Sequence, residues 1–208
     1  MSGRRVIPIG DKQLMRGKLL SATGEVLARD GYVAASPGAI ARAAGVPRTL
    51  VHTLFGGLEG LVAAYGETDE HWPSLAELAG GDLEAFSRLS LAGQMAAVYR
   101  GYGSALRARP RTVQILSWES RQRTPLTKLL ENIRVRRSLE IFELGAADFP
   151  EDVDMSAVVA VAAAAMLHLA VRTVTCGHFG GLDLDLDLGW QRVADTLQLM
   201  FERTLGAR

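Results

Sequence analysis

The sequence predicts an all-α protein with a small three-helix N-terminal head and a larger helical C-terminal body, about nine helices in all. Apolar residues recur at the three- and four-residue spacing of amphipathic helices through most of the chain. Serine, aspartate, proline and glycine stand where these helices would begin and end. No segment is a convincing strand, because the alternating stretch from Leu182 to Leu188 is flanked by glycines and is expected to be an extended connection.

Positive charge is concentrated in the first quarter of a chain whose formal net charge is zero. Through Phe55 there are eight basic and three acidic residues, a net charge of +5, so the remaining residues carry −5. A basic head on an acidic body is typical of a protein that binds a polyanion at one end, since phosphate attraction supplies sequence-independent affinity. Charge drift without functional consequence is the alternative.

Composition excludes several classes of protein. Hydrophobic residues make up 48% of the chain, which is enough to bury a core. The single cysteine, Cys176, cannot form an internal disulfide and fits a reducing cytoplasm. No signal peptide is expected, because no apolar run precedes Asp11. The stretch from Ala157 to Val171 is shorter than the roughly 20 residues that span a bilayer and contains His168, so it is expected to be a buried soluble helix without membrane association.

Three segments are predicted along the chain. Residues 1–10 form a flexible basic arm, residues 11–57 form the head, and residues 58–208 form the ligand-binding and dimerisation body. The head helices are predicted at about 11–30, 37–44 and 48–55, and those of the body at about 58–72, 82–109, 111–123, 126–144, 154–176 and 190–205.

The signals that bound the head helices are specific. Ser36 before Pro37 marks a helix start, because serine caps free amides and proline lacks only an N–H that the first helical position does not need. Gly31 is expected to cap the first helix, and Gly45 to take the positive φ of a tight turn after the second.

The third helix separates into two faces at 100° per residue. Its apolar face holds Leu50, Val51, Leu54 and Phe55, and its polar face holds Arg48, Thr49, His52 and Thr53. Two short helices joined by a glycine-containing turn, with a polar face on the second, are the parts of a helix-turn-helix, whose second helix enters the DNA major groove. A helical pair in an unrelated protein could imitate this spacing, so the residue identities matter.

A specific set of residues lies between positions 14 and 65. They are Gly31-Tyr32, Ser36, the run Ile40-Ala41-Arg42-Ala43-Ala44-Gly45-Val46, Arg48, Phe55, Glu59 and Leu61. This segment strongly resembles the DNA-binding domain of TetR-family transcription regulators. The other two thirds of the chain is similar to that family only in length and helical layout.

The resemblance implies a DNA-binding surface. Its residues would be Ser36, Arg48, Thr49, His52 and Thr53. The forked donors of arginine suit guanine or phosphate, and the hydroxyl and helix-start amides at Ser36 match a phosphate contact of the family. Simple helix capping is the other role of Ser36, and the two can coexist.

The sequence departs from the family pattern at four positions near this surface. They are Pro47 for a serine cap, Leu50 for threonine, His52 for tyrosine and Leu58 for lysine. Each change is expected to remove or weaken a phosphate contact. Lys12, Arg16 and the basic arm, which carries Arg4 and Arg5, are candidates to compensate.

In the body, the resemblance implies a homodimer and an effector pocket. The helices at about 154–176 and 190–205 would pair with those of a second subunit, although they could instead cover only the core of a monomer. The candidate pocket residues are Tyr99, Tyr102, Trp118, Phe142, Met166, His168 and Arg172. Most of them are expected to belong to the core.

The sequence therefore predicts a cytoplasmic, ligand-responsive regulator, a repressor that binds a pseudo-palindromic operator as a dimer and is released by a small, largely apolar effector. The alternative is a helical dimeric interaction or ligand-binding protein whose DNA-binding head is degenerate. No catalytic residue, cofactor or metal site is predicted. The four histidines are scattered, and a calcium loop starting at the Asp183, Asp185 and Asp187 series would need glycine at Leu188 and glutamate at Ala194.

Overall fold

The computed structural model describes residues 9–143 and 149–206, which form eleven α-helices and one short hairpin. The all-α prediction is confirmed. The helices are α1 Ile9–Ala34, α2 Pro37–Ala43, α3 Thr49–Phe55, α4 Leu58–Gly66, α5 Leu75–Leu78, α6 Leu83–Ser87, α7 Leu91–Arg107, α8 Pro110–Glu119, α9 Pro125–Glu143, α10 Met155–Arg172 and α11 Asp187–Leu205. The predicted basic arm lies outside the described residues except for its last two, which begin α1.

Two helices more than predicted arise between residues 74 and 109. The predicted helix 82–109 is divided into α6 and α7, because Ser90 starts a new helix by accepting a hydrogen bond from Gly93 N at 3.2 Å. Asp82 caps α6 as predicted and accepts from Glu84 N and Ala85 N. The four-residue helix α5 begins in the same way at Ser74.

The connection between α10 and α11 is not simply extended, and that prediction was wrong. Strands β1 (His178–Phe179) and β2 (Leu182–Asp183) pair antiparallel, with His178 opposite Asp183. The two-residue turn between them is Gly180-Gly181, and both glycines have positive φ, 55° and 78°. Positive φ at both central residues is typical of a two-residue hairpin turn. The two glycines therefore join β1 to β2 and do not mark the end of an extended segment.

The buried side chains form two clusters, and α8 contributes residues to both. The cluster of the head is built mainly on α1 to α4 but also takes in Ile115 of α8 and Leu130 and Ile133 of α9. The cluster of the body is built mainly on α7, α10 and α11. Because α8 and α9 contribute to the head cluster, the head is packed on the body and is not merely tethered to it.

Helix α10 is the one helix among the described residues that is long and apolar enough to span a membrane by length and composition. Only 28% of it is buried inside the chain. The prediction of a buried helix is therefore met on one side, where Met166 and Ala170 are buried, while Val161 on the other side is 65% exposed.

His71 lies where the two clusters meet. Its ring is fully buried, with its centroid 4.9 Å from that of Tyr65 in the head cluster and 6.4 Å from that of Trp72 in the body cluster. Neither ring nitrogen has a hydrogen-bond partner among the described residues. Burial, reinforced by nearby arginine charges, lowers the pKa of His71 to about 3, so the imidazole is neutral at neutral pH.

Stability should therefore fall on mild acidification. Because the pKa of His71 is lowered from its ordinary 6.5 on folding, the unfolded chain binds a proton below pH 6.5 that the folded chain does not accept until about pH 3. The free energy of unfolding should drop by about 2 kcal/mol from this group between pH 7.5 and 5.0. Urea denaturation of wild-type protein and His71→Phe across this range measures the difference between their pH dependences, and identical dependences would contradict the assignment.

Candidate functional site

Helices α2 and α3 form the predicted helix-turn-helix. Ser36 caps α2 by accepting a hydrogen bond from Ala39 N at 3.1 Å, and Pro37 is the first helical residue. The turn closes through a hydrogen bond from Val46 N to Ala41 O at 3.0 Å. Gly45 has φ of 65°, the left-handed conformation that the turn was predicted to require.

The two faces of α3 are disposed as predicted. Leu50 and Val51 are buried, 6% and 0% exposed, against the head cluster. The polar residues Arg48, Thr49, His52 and Thr53 are all exposed, as is Ser36 at the start of α2. Because α3 has seven residues, this polar face is about 10 Å long, which fits within a DNA major groove.

The departures from the family pattern have structural counterparts. Arg48, the N-cap residue before α3, makes no side-chain capping hydrogen bond, and Pro47 before it has no hydroxyl that could replace one. Leu50 is buried in the head cluster, so its side chain is not accessible to a phosphate. His52 is exposed and lies 3.9 Å from the position that a Cβ of Gly57 would occupy, and Leu58 is half-buried.

Several positive charges of the head are unpaired. Within the described residues, Lys12, Arg16, Lys18, Arg42 and Arg48 are exposed and form no ion pair. In the body, by contrast, most arginines are paired with carboxylates. The positive charge that the sequence places in the head is therefore available to an external polyanion.

Arg16 is held beside the end of α3. Its guanidinium lies 4.6 Å from the centroid of the Phe55 ring, a cation–π contact that orients the side chain. Lys12 is one helical turn earlier on the same face of α1. Arg48 stands at the other end of α3, so cationic side chains flank both ends of the polar face.

The head is fixed to the body by contacts between α1 and α8. Trp118 donates a hydrogen bond from Nε1 to Ala28 O at 2.9 Å, and Tyr32 donates from its hydroxyl to Glu119 at 2.7 Å. Gly31, with φ of 74°, lies so close that a Cβ there would be 2.9 Å from the Trp118 ring. Trp118, a predicted effector contact, thus lies at the head–body contact.

A buried ion pair supports this contact. Arg134 of α9 pairs with Glu119 at 2.8 Å, and the two side chains are only 11% and 12% exposed. Burial opposes the charge of Arg134, but Glu119 outweighs it and raises the arginine pKa. Burial and the neighbouring carboxylate also raise the pKa of Tyr32, so its hydroxyl keeps the proton that it donates to Glu119.

The structure does not bring all predicted effector residues together. Tyr99, Tyr102 and Met166 are in the body core, where the Tyr99 hydroxyl donates to Val159 O at 2.9 Å. His168 and Arg172 instead flank Phe179 of the hairpin. The side chain of Phe142 lies outside the described residues.

Three pockets adjoin these groups. Tyr99 and Met166 border one of about 220 Å³ whose rim carries Arg100 and Arg107. His168 borders another of about 340 Å³, which adjoins a third of about 370 Å³ along the outer side of α10 and α11. The third is lined by apolar side chains except for Thr204, whereas the second also has His168, Arg192 and Thr196 in its lining.

Solved structures identify the fold, whereas no family model and no curated protein matches the sequence. A TetR-like regulator from Rhodococcus sp. is similar with a TM-score of 0.62 at 18% identity, over 98% of this chain and 100% of that one. A TetR-family regulator from Marinobacter aquaeolei is similar with a TM-score of 0.56 at 20% identity, over 89% and 96%.

The fold is that of TetR-family transcription regulators. The regulator FadR from Bacillus subtilis, solved in complex with stearoyl-CoA, also shares this TetR fold, with a TM-score of 0.64 at 15% identity over 92% of this chain and 99% of that one. The resemblance predicted from residues 14–65 is thus confirmed at the level of the fold, and it extends over the body, where the sequence shows little similarity.

Loss of the ion pair between Glu119 and Arg134 should strongly destabilise the head–body contact. Glu119→Gln leaves a buried guanidinium without its counter-charge, and the free energy of unfolding should fall by about 3 kcal/mol. Glu131→Gln is the matched control, because Glu131 pairs with Arg123 at the surface and its loss should cost less than about 1 kcal/mol. Denaturant unfolding measures both, and equal losses would contradict the account.

Proposed function

We propose that this chain is a ligand-responsive transcription regulator, a repressor that binds a pseudo-palindromic operator as a homodimer. The observation that carries the proposal is the exposed polar face of α3, flanked by unpaired basic side chains, on a chain with the TetR fold. The repressor role rests on the resemblance alone. No catalytic role is proposed, and the expected location is the cytoplasm.

In this proposal α3 lies in the major groove. Arg48, Thr49, His52 and Thr53 face the bases and the adjoining phosphates. The hydroxyl of Thr53 donates to Thr49 O at 3.0 Å, so its oxygen is left to accept from a base. Arg48 forms no ion pair within the described chain and can use its full fork of donors on guanine or phosphate.

Phosphate contacts come from the surroundings of α3. Arg16, oriented by Phe55, and Lys12 on the same face of α1 would bind the backbone at one end of the helix. Ser36 and the first amides of α2 would bind it on the other side. These contacts offset those lost with Pro47 and Leu58.

The homodimer is supported by the apolar outer face of α10 and α11. Val161, Leu199 and Met200 are 65%, 52% and 51% exposed in the single chain, and the two apolar pockets open on this face. Exposed apolar side chains grouped on one side of a protein are typical of an interface. Pairing of α10 and α11 with their mates would make a four-helix interface and set the two heads about one DNA turn apart.

The effector is proposed to be small and largely apolar and to bind in the body near Tyr99, Tyr102 and Met166. Tyr99 and Met166 border a pocket of about 220 Å³ at this position, and Arg100 and Arg107 in its lining could bind a polar group of the effector. FadR from Bacillus subtilis, of the same fold, was solved with stearoyl-CoA, a molecule that combines a long apolar chain with a polar head. The effector would act by favouring a conformation in which α8 shifts against α1 and misplaces the head.

The flanking cations should determine the salt dependence of DNA binding. Arg16→Ala and Arg48→Ala each remove a cation next to the DNA, so in a dimer the slope of log affinity against log salt should become shallower by about two. Arg29→Ala is the matched control, because Arg29 lies on α1 but is paired with Asp30 at 2.7 Å. Fluorescence anisotropy on duplex DNA at several salt concentrations gives the slopes.

If the salt dependence of DNA affinity were unchanged in both Arg16→Ala and Arg48→Ala, the proposed contacts of these residues with DNA would be contradicted. Absence of any DNA binding by correctly folded wild-type protein would favour the alternative, an interaction or ligand-binding protein with a degenerate head.

The dimer interface has an equally direct test. Val161→Glu places a charge in the centre of the proposed interface and should convert the dimer to a monomer, because the charge could not be buried without a partner. Val135→Glu is the control. Val135 is likewise an exposed helical valine, with 51% of its surface exposed, but it lies on α9. Sedimentation velocity at micromolar protein concentration should show a monomer only for the first variant, and a dimer in both would contradict the assignment.

A further inference from the structure

The hairpin between α10 and α11 gathers three side chains that can ligate a metal. His178 begins β1, Asp183 ends β2 opposite it, and Asp185 follows two residues later. One ligand atom from each residue lies within 4.8 Å of the other two. His178 Nε2 and Asp183 Oδ2 are 3.5 Å apart.

We propose that His178, Asp183 and Asp185 form a binding site for a divalent metal ion, most favourably Zn²⁺. A tetrahedral ion with bonds of 2.0–2.1 Å holds its ligand atoms about 3.4 Å apart, close to the separation of the imidazole and the first carboxylate. Asp185 is exposed, and one of its carboxylate oxygens lies within 4.8 Å of the ligand atoms of the other two residues. One imidazole nitrogen with two carboxylate oxygens suits zinc, whereas calcium and magnesium take oxygen ligands.

The carboxylates are oriented by the hairpin itself. Asp183 accepts a hydrogen bond from Asp185 N through Oδ1 at 3.1 Å, which leaves its Oδ2 facing His178. The carboxylate of Asp185 lies directly against Gly177, where a Cβ would overlap it. A side chain at position 177 would displace the Asp185 carboxylate from this position.

The cluster lacks a positive counter-charge. Among the described residues Asp185 has no basic partner, and Asp183 has only His178. Asp187, the next member of the series, is paired with Arg107 and belongs to α11. Two carboxylates held close together repel each other, and a divalent cation would offset that repulsion.

Nearby arginines are engaged elsewhere. Arg192 donates to Gly181 O at 3.2 Å, and Arg172 lies over the Phe179 ring. The exposed thiol of Cys176 is two residues before His178 and contacts His178 O at 3.6 Å. It is outside the three-residue cluster, so the proposed donor set contains no sulfur.

The hairpin that carries the proposed site packs against both α10 and α11, so a bound ion would further restrict its movement against these helices. Trp190 of α11 donates to Leu184 O at 2.7 Å, and the Phe179 ring packs edge-on against His168 of α10, with centroids 5.2 Å apart. Phe179 and Leu182 also border the pocket of about 340 Å³ between α10 and α11. The site goes beyond the proposed regulatory function and does not depend on it.

The site is tested by isothermal titration of the full-length, tag-free, chelator-treated protein with ZnCl₂. One ion per chain is expected. His178→Ala and Asp185→Asn should each weaken zinc affinity by more than about tenfold, because removing a direct ligand costs at least as much as removing an outer group. Asp187→Asn and Cys176→Ser are the controls and should bind as the wild type does. Cobalt(II) should give the visible absorption of a tetrahedral site in the wild type and lose it in His178→Ala.

Three outcomes would overturn the proposal. They are no zinc binding by the folded wild type at millimolar ion, affinity that survives both His178→Ala and Asp185→Asn, and affinity that is lost only in Cys176→Ser. Circular dichroism of each variant separates a lost ligand from a lost fold.

Discussion

The packing of α1 against α8 fixes the position of the N-terminal head on the body. Glu119 lies at its centre, because it accepts from the Tyr32 hydroxyl and pairs with the buried Arg134 of α9. A buried ion pair of this kind is strongly destabilised when one partner is removed, so the arrangement tolerates little displacement. Gly31 and Trp118 add a close steric fit at the same point. We therefore expect a change in the body that moves α8 to move the head with it.

This constraint explains how function can be divided between the two parts of the chain. Most basic side chains of the head, Arg29 excepted, form no ion pair within the described chain, and Arg16 is held beside α3 by the Phe55 ring. The body pairs most of its arginines and leaves an apolar face on α10 and α11. In the proposed regulator the head supplies DNA contacts, the outer face supplies the second subunit, and the contact between α1 and α8 joins them.

Local signals predicted the head well. The cap at Ser36, the positive φ at Gly45 and the two faces of α3 depend on neighbouring residues, so the sequence was sufficient. Long-range contacts were not predictable in this way. Trp118 is aromatic, as pocket residues often are, and was predicted to contact the effector. Its indole instead donates a hydrogen bond to Ala28, which is 90 positions away in the sequence. The pairing of His178 with Asp183 required the hairpin register, which the spacing of the aspartates alone did not reveal.

Selection from fragmented genomic DNA with the purified full-length protein tests the central claim most directly. The account predicts enrichment of one pseudo-palindromic motif whose half-sites are about one helical turn, 10–10.5 base pairs, apart, because two α3 helices related by a two-fold axis must enter successive major grooves. The enrichment should disappear with Arg48→Ala. If the folded dimer enriches no sequence above the starting pool, the chain is not an operator-binding regulator.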